Sequence, residues 1–363
     1  MRPRPDRREF LLRAGALSFG LLPLFAQGAE SPLAPKKAVA PAPKADPYAD
    51  AVFVAGEPPL PVAGAFTFAV LPDTQFYSQK YPETFLAQTN WIIEQRERRR
   101  IAGVFHLGDI TNSNTVPQWT NARKALRVLL DAKMPLCLVP GNHDYGPGGG
   151  GADRTTMLSE FLPVQALAQA SHWQGNYDKE PARSDNSWHF IDVGLRKFLI
   201  LCLEFGPRND VLRWANEIVA THPQREVILL THAHIFNDDT RYDHKRYSKT
   251  QTHNPHGYFA QAPLDINDGE EVWTKLISRH ENFILTLNGH VVGDGLGRVV
   301  TDTAKGHAVP QVLVNFQMKP NGGDGWLRLI EMRPDGTMRT FDYSPTRQQL
   351  NASPQNQFTI PWA

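Results

Sequence analysis

Leu136-Cys137-Leu138-Val139-Pro140-Gly141-Asn142-His143-Asp144 passes from four apolar residues through a Pro-Gly turn into side chains that can bind metal or move a proton. The apolar part is strand-length and Pro140 closes it. The same order recurs along the chain. Phe66–Leu71 is followed by Pro72-Asp73-Thr74-Gln75, and Val104–Leu107 by Gly108-Asp109-Ile110-Thr111-Asn112. Glu226–Leu230 is followed by Thr231-His232-Ala233-His234, and Phe283–Leu287 by Asn288-Gly289-His290-Val291-Val292. Helical patterns lie between the runs, from Pro82 to about Arg100, from Pro117 to Ala132, over Asp210–Thr221 and over Glu270–His280. Strands alternating with helices predict right-handed βαβ units and a largely parallel sheet. Ligand sites in open α/β sheets collect at the carboxyl ends of the strands, where these polar clusters fall.

Outward from this core the chain changes character. Lys197–Leu203 reads as a further strand. The last third carries short strand-like runs at Val309–Phe316, Trp326–Arg333 and Thr337–Tyr343, the final two joined by the turn Pro334-Asp335-Gly336. Residues 346–363 read as an extension packing on the domain. Residues 29–65, rich in Pro and Ala, predict a spacer, with order starting near Phe66. Before it, Arg7-Arg8 and the apolar run Ala14–Ala26, with small residues at Ala26 and Gly28, resemble a twin-arginine export signal spanning residues 1–28. That run is shorter than the roughly 20 helical residues that cross a bilayer. The expectation is a mature chain without a membrane span, delivered by the export machinery to the periplasm or medium.

Composition narrows the function. The 363 residues carry a formal charge of +1, which gives no electrostatic footprint for nucleic acid or anionic membrane. The hydrophobic fraction of 41% excludes an intrinsically disordered chain. Two cysteines exclude a disulfide scaffold and Cys-rich zinc modules. Cys137 and Cys202 both sit in apolar strand-like runs, as buried thiols or as a disulfide in an oxidising compartment. Trp91, Trp119 and Trp214 fall on apolar helix faces and belong to the core.

Any one polar cluster is weak evidence, since an Asp after a strand is a common helix cap. Five clusters, each ending a different strand and offering oxygen or nitrogen, point to a divalent cation with no Cys among the ligands. Gly108, Gly141 and Gly289 precede candidate ligands and let backbone approach closely.

Taken together, the D-T-Q, G-D, G-N-H-D, lone His and G-H pieces resemble the ordered motifs of the calcineurin-like metallophosphoesterase superfamily, over about Phe66 to Val292. Gln88-Thr89-Asn90-Trp91-Ile92 and Tyr343-Ser344-Pro345 look like an exported bacterial branch. The resemblance implies an α/β (α+β) fold, a two-sheet sandwich flanked by helices with a strand-rich C-terminal end, occupying residues 66–345. It implies a hydrolase of phosphoric monoesters or diesters using metal-activated water, with one or two divalent ions per chain (Mn, Fe, Zn or similar) and a small phosphoester as its partner molecule. Asp109 would bridge two ions, and Asn142, His232 and His290 would complete the second site. Asp73 and Gln75 would belong to the first. His143 would act at the leaving group as general acid or electrostatic stabiliser, oriented by Asp144. Asn112 would face the substrate phosphate or structure its loop.

Two departures from the family pattern touch the first site. Gln75 stands where the family has His, and Val292 stands for the second His of G-H-x-H. The first site is therefore expected to be weak or reorganised, with Asp294 or His234 as substitute groups; His234 is also a candidate substrate contact. A non-catalytic metal- and ligand-binding protein on the same fold, with a degraded first site, is the competing expectation. The polar segment Asn237–Gln261, with His244, His253, His256 and Tyr258, is read either as a specificity loop or as a solvated excursion. Gly146–Gly151 lacks the Lys-Ser/Thr ending of a P-loop and is read as a flexible loop.

Overall fold

The computed structural model describes residues 46–259 and 265–362, and Ala45–Ala363 form one compact unit. Residues 1–28, read as an export signal, and residues 29–45 of the spacer lie outside the described residues. The strands, in chain order, are β1 (Phe53–Ala55), β2 (Phe66–Leu71), β3 (Ile101–His106), β4 (Leu136–Leu138), β5 (Trp173–Asn176), β6 (Ser187–Val193), β7 (Arg196–Leu203), β8 (Glu226–Thr231), β9 (Phe283–Asn288), β10 (Leu296–Asp302), β11 (Ala308–Val314), β12 (Leu327–Met332), β13 (Thr337–Ser344), β14 (Gln349–Asn351) and β15 (Thr359–Pro361). The first three helices are α1 (Gln75–Lys80), α2 (Pro82–Gln95) and α3 (Val116–Asp131).

They form two mixed sheets rather than one largely parallel sheet. The first has the order β1-β14-β13-β12-β2-β3-β4, with β15 beside β13, and the second has the order β10-β11-β9-β8-β7-β6-β5. Only β2-β3-β4 and β7-β8-β9-β11 run parallel. The C-terminal hairpin β12-β13 pairs antiparallel to β2 and so extends the first sheet instead of forming a separate end. The reason is visible in β2. Phe66, Phe68 and Val70 face the second sheet, against Phe198 and Ile200, while Ala69 and Leu71 lie under the helices with Phe85 and Ile92. A strand buried on both faces is apolar throughout. Each such side chain contributes about 1.5–3 kcal/mol on leaving water. The helices Asn209–Ala220 and Gly269–Lys275 cover the outer face of the second sheet.

The spacer expectation is corrected from residue 46 onward. β1 pairs with β14, Val62 N–H donates to Glu331 Oε1 at 2.8 Å, and Glu57 takes the buried Arg99 guanidinium at 2.8 Å. That ion pair also ends α2 earlier than expected. Arg99 turns back to Glu57 and to the Pro58 carbonyl, Arg100 takes φ 50°, and Ile101 opens β3. The last expected helix shortens too, because Leu276 leaves helical geometry at φ −133°. The C-terminal extension supplies β14, β15 and the buried Trp362. Among the described residues no helix is long and apolar enough to cross a membrane.

Candidate metal centre

The parallel strands of both sheets end at the same rim. Asp73 follows β2, Asp109 follows β3, Asn142 follows β4, His232 follows β8 and His290 follows β9, and all five are buried. Glycine makes the close approach possible. A Cβ on Gly141 would collide with Asp109 Oδ1, and one on Gly289 with Asp73 Oδ1. Asp109 and His290 themselves have positive φ, 47° and 74°, a strained state that persists where the surroundings over-determine it, as at functional sites.

His232 Nε2 is the hub. It lies 3.2 Å from Asp109 Oδ1, 3.2 Å from Asn142 Oδ1 and 3.2 Å from His290 Nδ1. The far ring nitrogens fix the tautomers. His232 Nδ1 contacts the Leu107 carbonyl at 2.7 Å, and His290 Nε2 contacts the His253 carbonyl at 2.8 Å. A carbonyl only accepts, so both nitrogens donate, and the lone pairs of His232 Nε2 and His290 Nδ1 face inward. Donor atoms of Asp109, Asn142 and His290 thus gather around His232 Nε2, giving two imidazoles, one amide oxygen and one carboxylate. A cation with ligand bonds of about 2.0–2.1 Å spaces neighbouring donors by about 3.0–3.4 Å, and the donor set suits a borderline divalent ion.

The charges agree with that geometry. Burial opposes a charged His232 ring, but Asp109 and Asp73 outweigh it and hold its pKa at about 9. Burial also opposes the Asp109 carboxylate, yet the charges of His232 and His143 keep it ionised, well below the usual carboxylate range. Burial, with the His232 charge, lowers His290 to about 3. Burial raises Asp73 to about 7, with the Asp109 charge adding to the rise and His232 opposing it. A cation in this pocket takes the place of the proton that His232 otherwise holds.

The Asp73 side is poorer in free donors. Donor atoms of Asp73, Asp109 and His232 lie within 4.8 Å of one another. Both Asp73 oxygens already accept from His290 N–H, at 3.1 and 3.2 Å, and Oδ2 also accepts from Asn315 Nδ2 at 3.0 Å. Gln75 is buried and its Oε1 has no hydrogen-bond partner, while Thr74 N–H donates to the Asp109 carbonyl and ties this turn to the β3 end. Neither expected substitute for Val292 is there. Asp294 is exposed and holds Asn237 Nδ2 and Leu296 N–H. His234 turns to Gln311 Oε1 at 2.9 Å instead of the rim. Asn315, directly after β11, was absent from the sequence expectations, although it follows a strand as the others do.

His143 is held differently from the expectation. Its Nδ1 donates to the Asn112 carbonyl at 2.7 Å, and its backbone N–H donates to Asp109 Oδ1 at 2.9 Å. Burial alone lowers its pKa, but Asp109 and the Asn112 carbonyl raise it above the usual value. The Asp144 carboxylate is consumed elsewhere. Oδ1 accepts from Thr111 N–H and Oγ1, and Oδ2 from Ile110 N–H and Gly141 N–H. Asp144 therefore clamps the turns that carry Asp109 and Asn142, and the Asn112 main chain orients the His143 ring. Asn112 Nδ2 meets Ser113 Oγ. The glycine run is bonded rather than loose. Gly150 and Gly151 N–H donate to the Tyr145 carbonyl, and a Cβ on Gly149 would strike the His143 carbonyl.

The polar segment after β8 forms the opposite wall. Besides the His253 carbonyl, it brings Tyr258 against Phe205 at 4.9 Å and His290 at 6.0 Å between ring centroids.

Comparison with known proteins fits this construction. A family profile described as calcineurin-like phosphoesterase matches residues 66–294. The uncharacterized protein YvnB of Bacillus subtilis (strain 168) is 25% identical over 303 residues, covering 80% of this chain, and the chain spans 21% of that relative's length. Among solved structures, the purple acid phosphatase PPD1 of yellow lupin (Lupinus luteus) seeds aligns at 15% identity and TM-score 0.47, covering 84% of this chain and 55% of that one. GAP50 of Plasmodium aligns at 11% and 0.41, over 82% of this chain and 88% of that one. The NAD nucleotidase NadN of Haemophilus influenzae aligns at 11% and 0.39, over 82% and 50%. With its motifs gathered at one rim and the family profile covering most of the ordered body, the chain belongs to the calcineurin-like phosphoesterase family.

Proposed function

We propose that this centre hydrolyses a small phosphoric monoester or diester, using one tightly held divalent ion and a second, weaker one. The observation that carries it is the cluster of donor atoms from Asp109, Asn142, His232 and His290, three of them 3.2 Å from His232 Nε2. Asp109, Asn142, His232 and His290 hold the tight ion. Asp73, Asp109 and the partnerless Gln75 Oε1 hold the weaker one, since Val292 offers no donor. A divalent ion there supplies Lewis acidity toward a phosphoryl oxygen and acidifies a water.

The protein groups supply the rest. His143 keeps Nδ1–H on the Asn112 carbonyl, which leaves Nε2 as the atom that gives a proton to the departing oxygen. Its raised pKa keeps that proton available near neutrality. Asp144 holds both ligand turns at their working separation. Phe205, Tyr258 and the 237–259 segment limit water access from the side facing the strand ends.

Metal titration of dialysed protein, combined with turnover of p-nitrophenyl phosphate and its bis ester in added Mn²⁺, tests this. One tight and one weak equivalent with turnover are expected. Two equal tight sites refute the inequality, and bound metal without turnover on any metal tried favours a binding protein instead. Residues 1–28 support twin-arginine export of the 46–362 body to the periplasm. Arg7→Lys with Arg8→Lys should retain it in the cytoplasm, and unchanged periplasmic recovery would reject that route.

A further inference from the structure

One edge of the gap between the sheets gathers thiols and imidazoles among apolar side chains. There β4, the last strand of the first sheet, faces β6 and β7 of the second. Cys137 on β4 and Cys202 on β7 both point into the gap among Phe66, Phe105, Ile191, Phe198 and Ile200. Burial raises the pKa of the Cys137 thiol, and the neighbouring Cys202 thiol adds to the rise. His189 on β6 and His172, just before β5, complete the group, and all four residues are buried. Donor atoms of Cys137, His172 and His189 lie within 4.8 Å of one another. Cys202 is a close neighbour on the same face of the second sheet, since it pairs with Ser187 while His189 pairs with Ile200.

The hydrogen bonds leave electron pairs unused. His172 Nε2 contacts the Leu136 carbonyl at 3.1 Å, so that nitrogen donates and Nδ1 keeps the lone pair. His189 Nε2 contacts Ser187 Oγ at 3.0 Å, and His189 Nδ1, fully enclosed, has no partner. Buried polar atoms in native proteins are paired with few exceptions, and each exception asks for a cause such as an ion. Burial lowers the pKa of both rings, so both are neutral and fit to ligate. His172 also lines an open groove of about 600 Å³ with Pro135 and Ile191, which gives an entry path from solvent.

We propose that Cys137, Cys202, His172 and His189 bind one Zn²⁺ ion between the sheets, as a structural site separate from the phosphoesterase centre. Two thiolates, two neutral imidazoles and one divalent ion sum to zero charge, which suits an apolar surrounding. On binding, two S–H bonds break, two Zn–S bonds form, and the two protons pass to solvent without change of oxidation state. The ion joins the edges of two sheets that otherwise meet there through side-chain packing and the hydrogen bond from His172 to the Leu136 carbonyl.

The test uses full-length protein stripped at the rim with a mild chelator. Retention of one zinc per chain is expected, as is a thiolate-to-Co²⁺ charge-transfer band in the near ultraviolet after cobalt exchange. Asp109→Asn should keep that band and Cys137→Ser should abolish it. If Cys137→Ser does not fold, thiol counting on the wild-type chain decides: zinc should shield both thiols until unfolding in chelator releases them. A cobalt protein without the thiolate band overturns the proposal. So does a mass lower by two hydrogens with no titratable thiol, the signature of a Cys137–Cys202 disulfide.

Discussion

Asp109, Asn142, His232 and His290 stand at strand ends, whereas the His253 carbonyl that meets His290 comes from the irregular stretch 237–259. The two walls of the centre are held in different ways. On the strand side, parallel pairing sets the separation of the ligand turns, and Asp144 ties two of those turns with four hydrogen bonds. On the loop side no sheet is involved. The segment is anchored by Asp268, which caps the helix Gly269–Lys275 and accepts from His244 N–H at 2.8 Å, and by His256 meeting Glu271 at 2.7 Å. Sheet pairing fixes the donors, whereas the wall that sets the His290 tautomer is held by side-chain caps and a few main-chain bonds, such as Tyr242 N–H to the His234 carbonyl and Phe259 N–H to the Gly151 carbonyl. Damage on the strand side should therefore cost chemistry or metal, and damage on the loop side should cost a little stability first.

His143→Ala is expected to produce the largest change, a fall of about 10²–10⁴-fold in kcat with metal content intact. Unchanged turnover would remove His143 from the proton transfer. Asp144→Asn comes next. An amide NH₂ would face backbone N–H donors, loosening both ligand turns, and metal affinity or turnover should drop about 10–100-fold; calorimetric metal titration reads it. Val292→His restores a donor beside the Asp73 side, so the weaker metal equivalent should tighten while the tighter one stays, and an unmoved second equivalent would place that site elsewhere.

The smallest effect belongs to the loop wall. Burial opposes the Glu271 charge, but the His256 hydrogen bond and the Asp268 amide outweigh it and hold the pKa at about 2, below the ordinary 4.5. Its contribution to stability is present above about pH 4.5 and disappears as the pH falls toward 2. Discounted for the partial exposure of the carboxylate, it is about 1 kcal/mol, or about 2 °C in Tm. Glu271→Gln should remove that part of the acid sensitivity with little change in kcat. A larger loss of kcat than Asp144→Asn would mean that the loop, not the strand ends, governs the centre.

Much of this was legible along the chain. β2 spans Phe66–Leu71 as expected, because a strand buried on both faces is a continuous apolar run with a proline stop. The five ligand clusters were legible because each follows such a run. β6 and β10 escaped notice, since half-buried antiparallel strands such as Ser187–Val193 and Leu296–Asp302 mix polar and apolar residues. Within the site, Asp144 was assigned to His143 through the family resemblance, whereas the 3₁₀ turn at Asn142–Asp144 aims its carboxylate at the Asp109 turn.

Residue order by itself determined which side chains could serve as ligands and that they would gather at strand ends, because hydrophobic periodicity and breakers are local properties of the chain. Only the tertiary structure decided which nitrogen of each histidine faces inward, that Asp294 and His234 point away from the place left by Val292, and that Cys137, His172 and His189, distant in sequence, come together between the sheets. Those outcomes depend on carbonyls such as Leu107 and His253 and on contacts across 125 and 37 residues of chain, distances over which sequence pattern carries no geometric information.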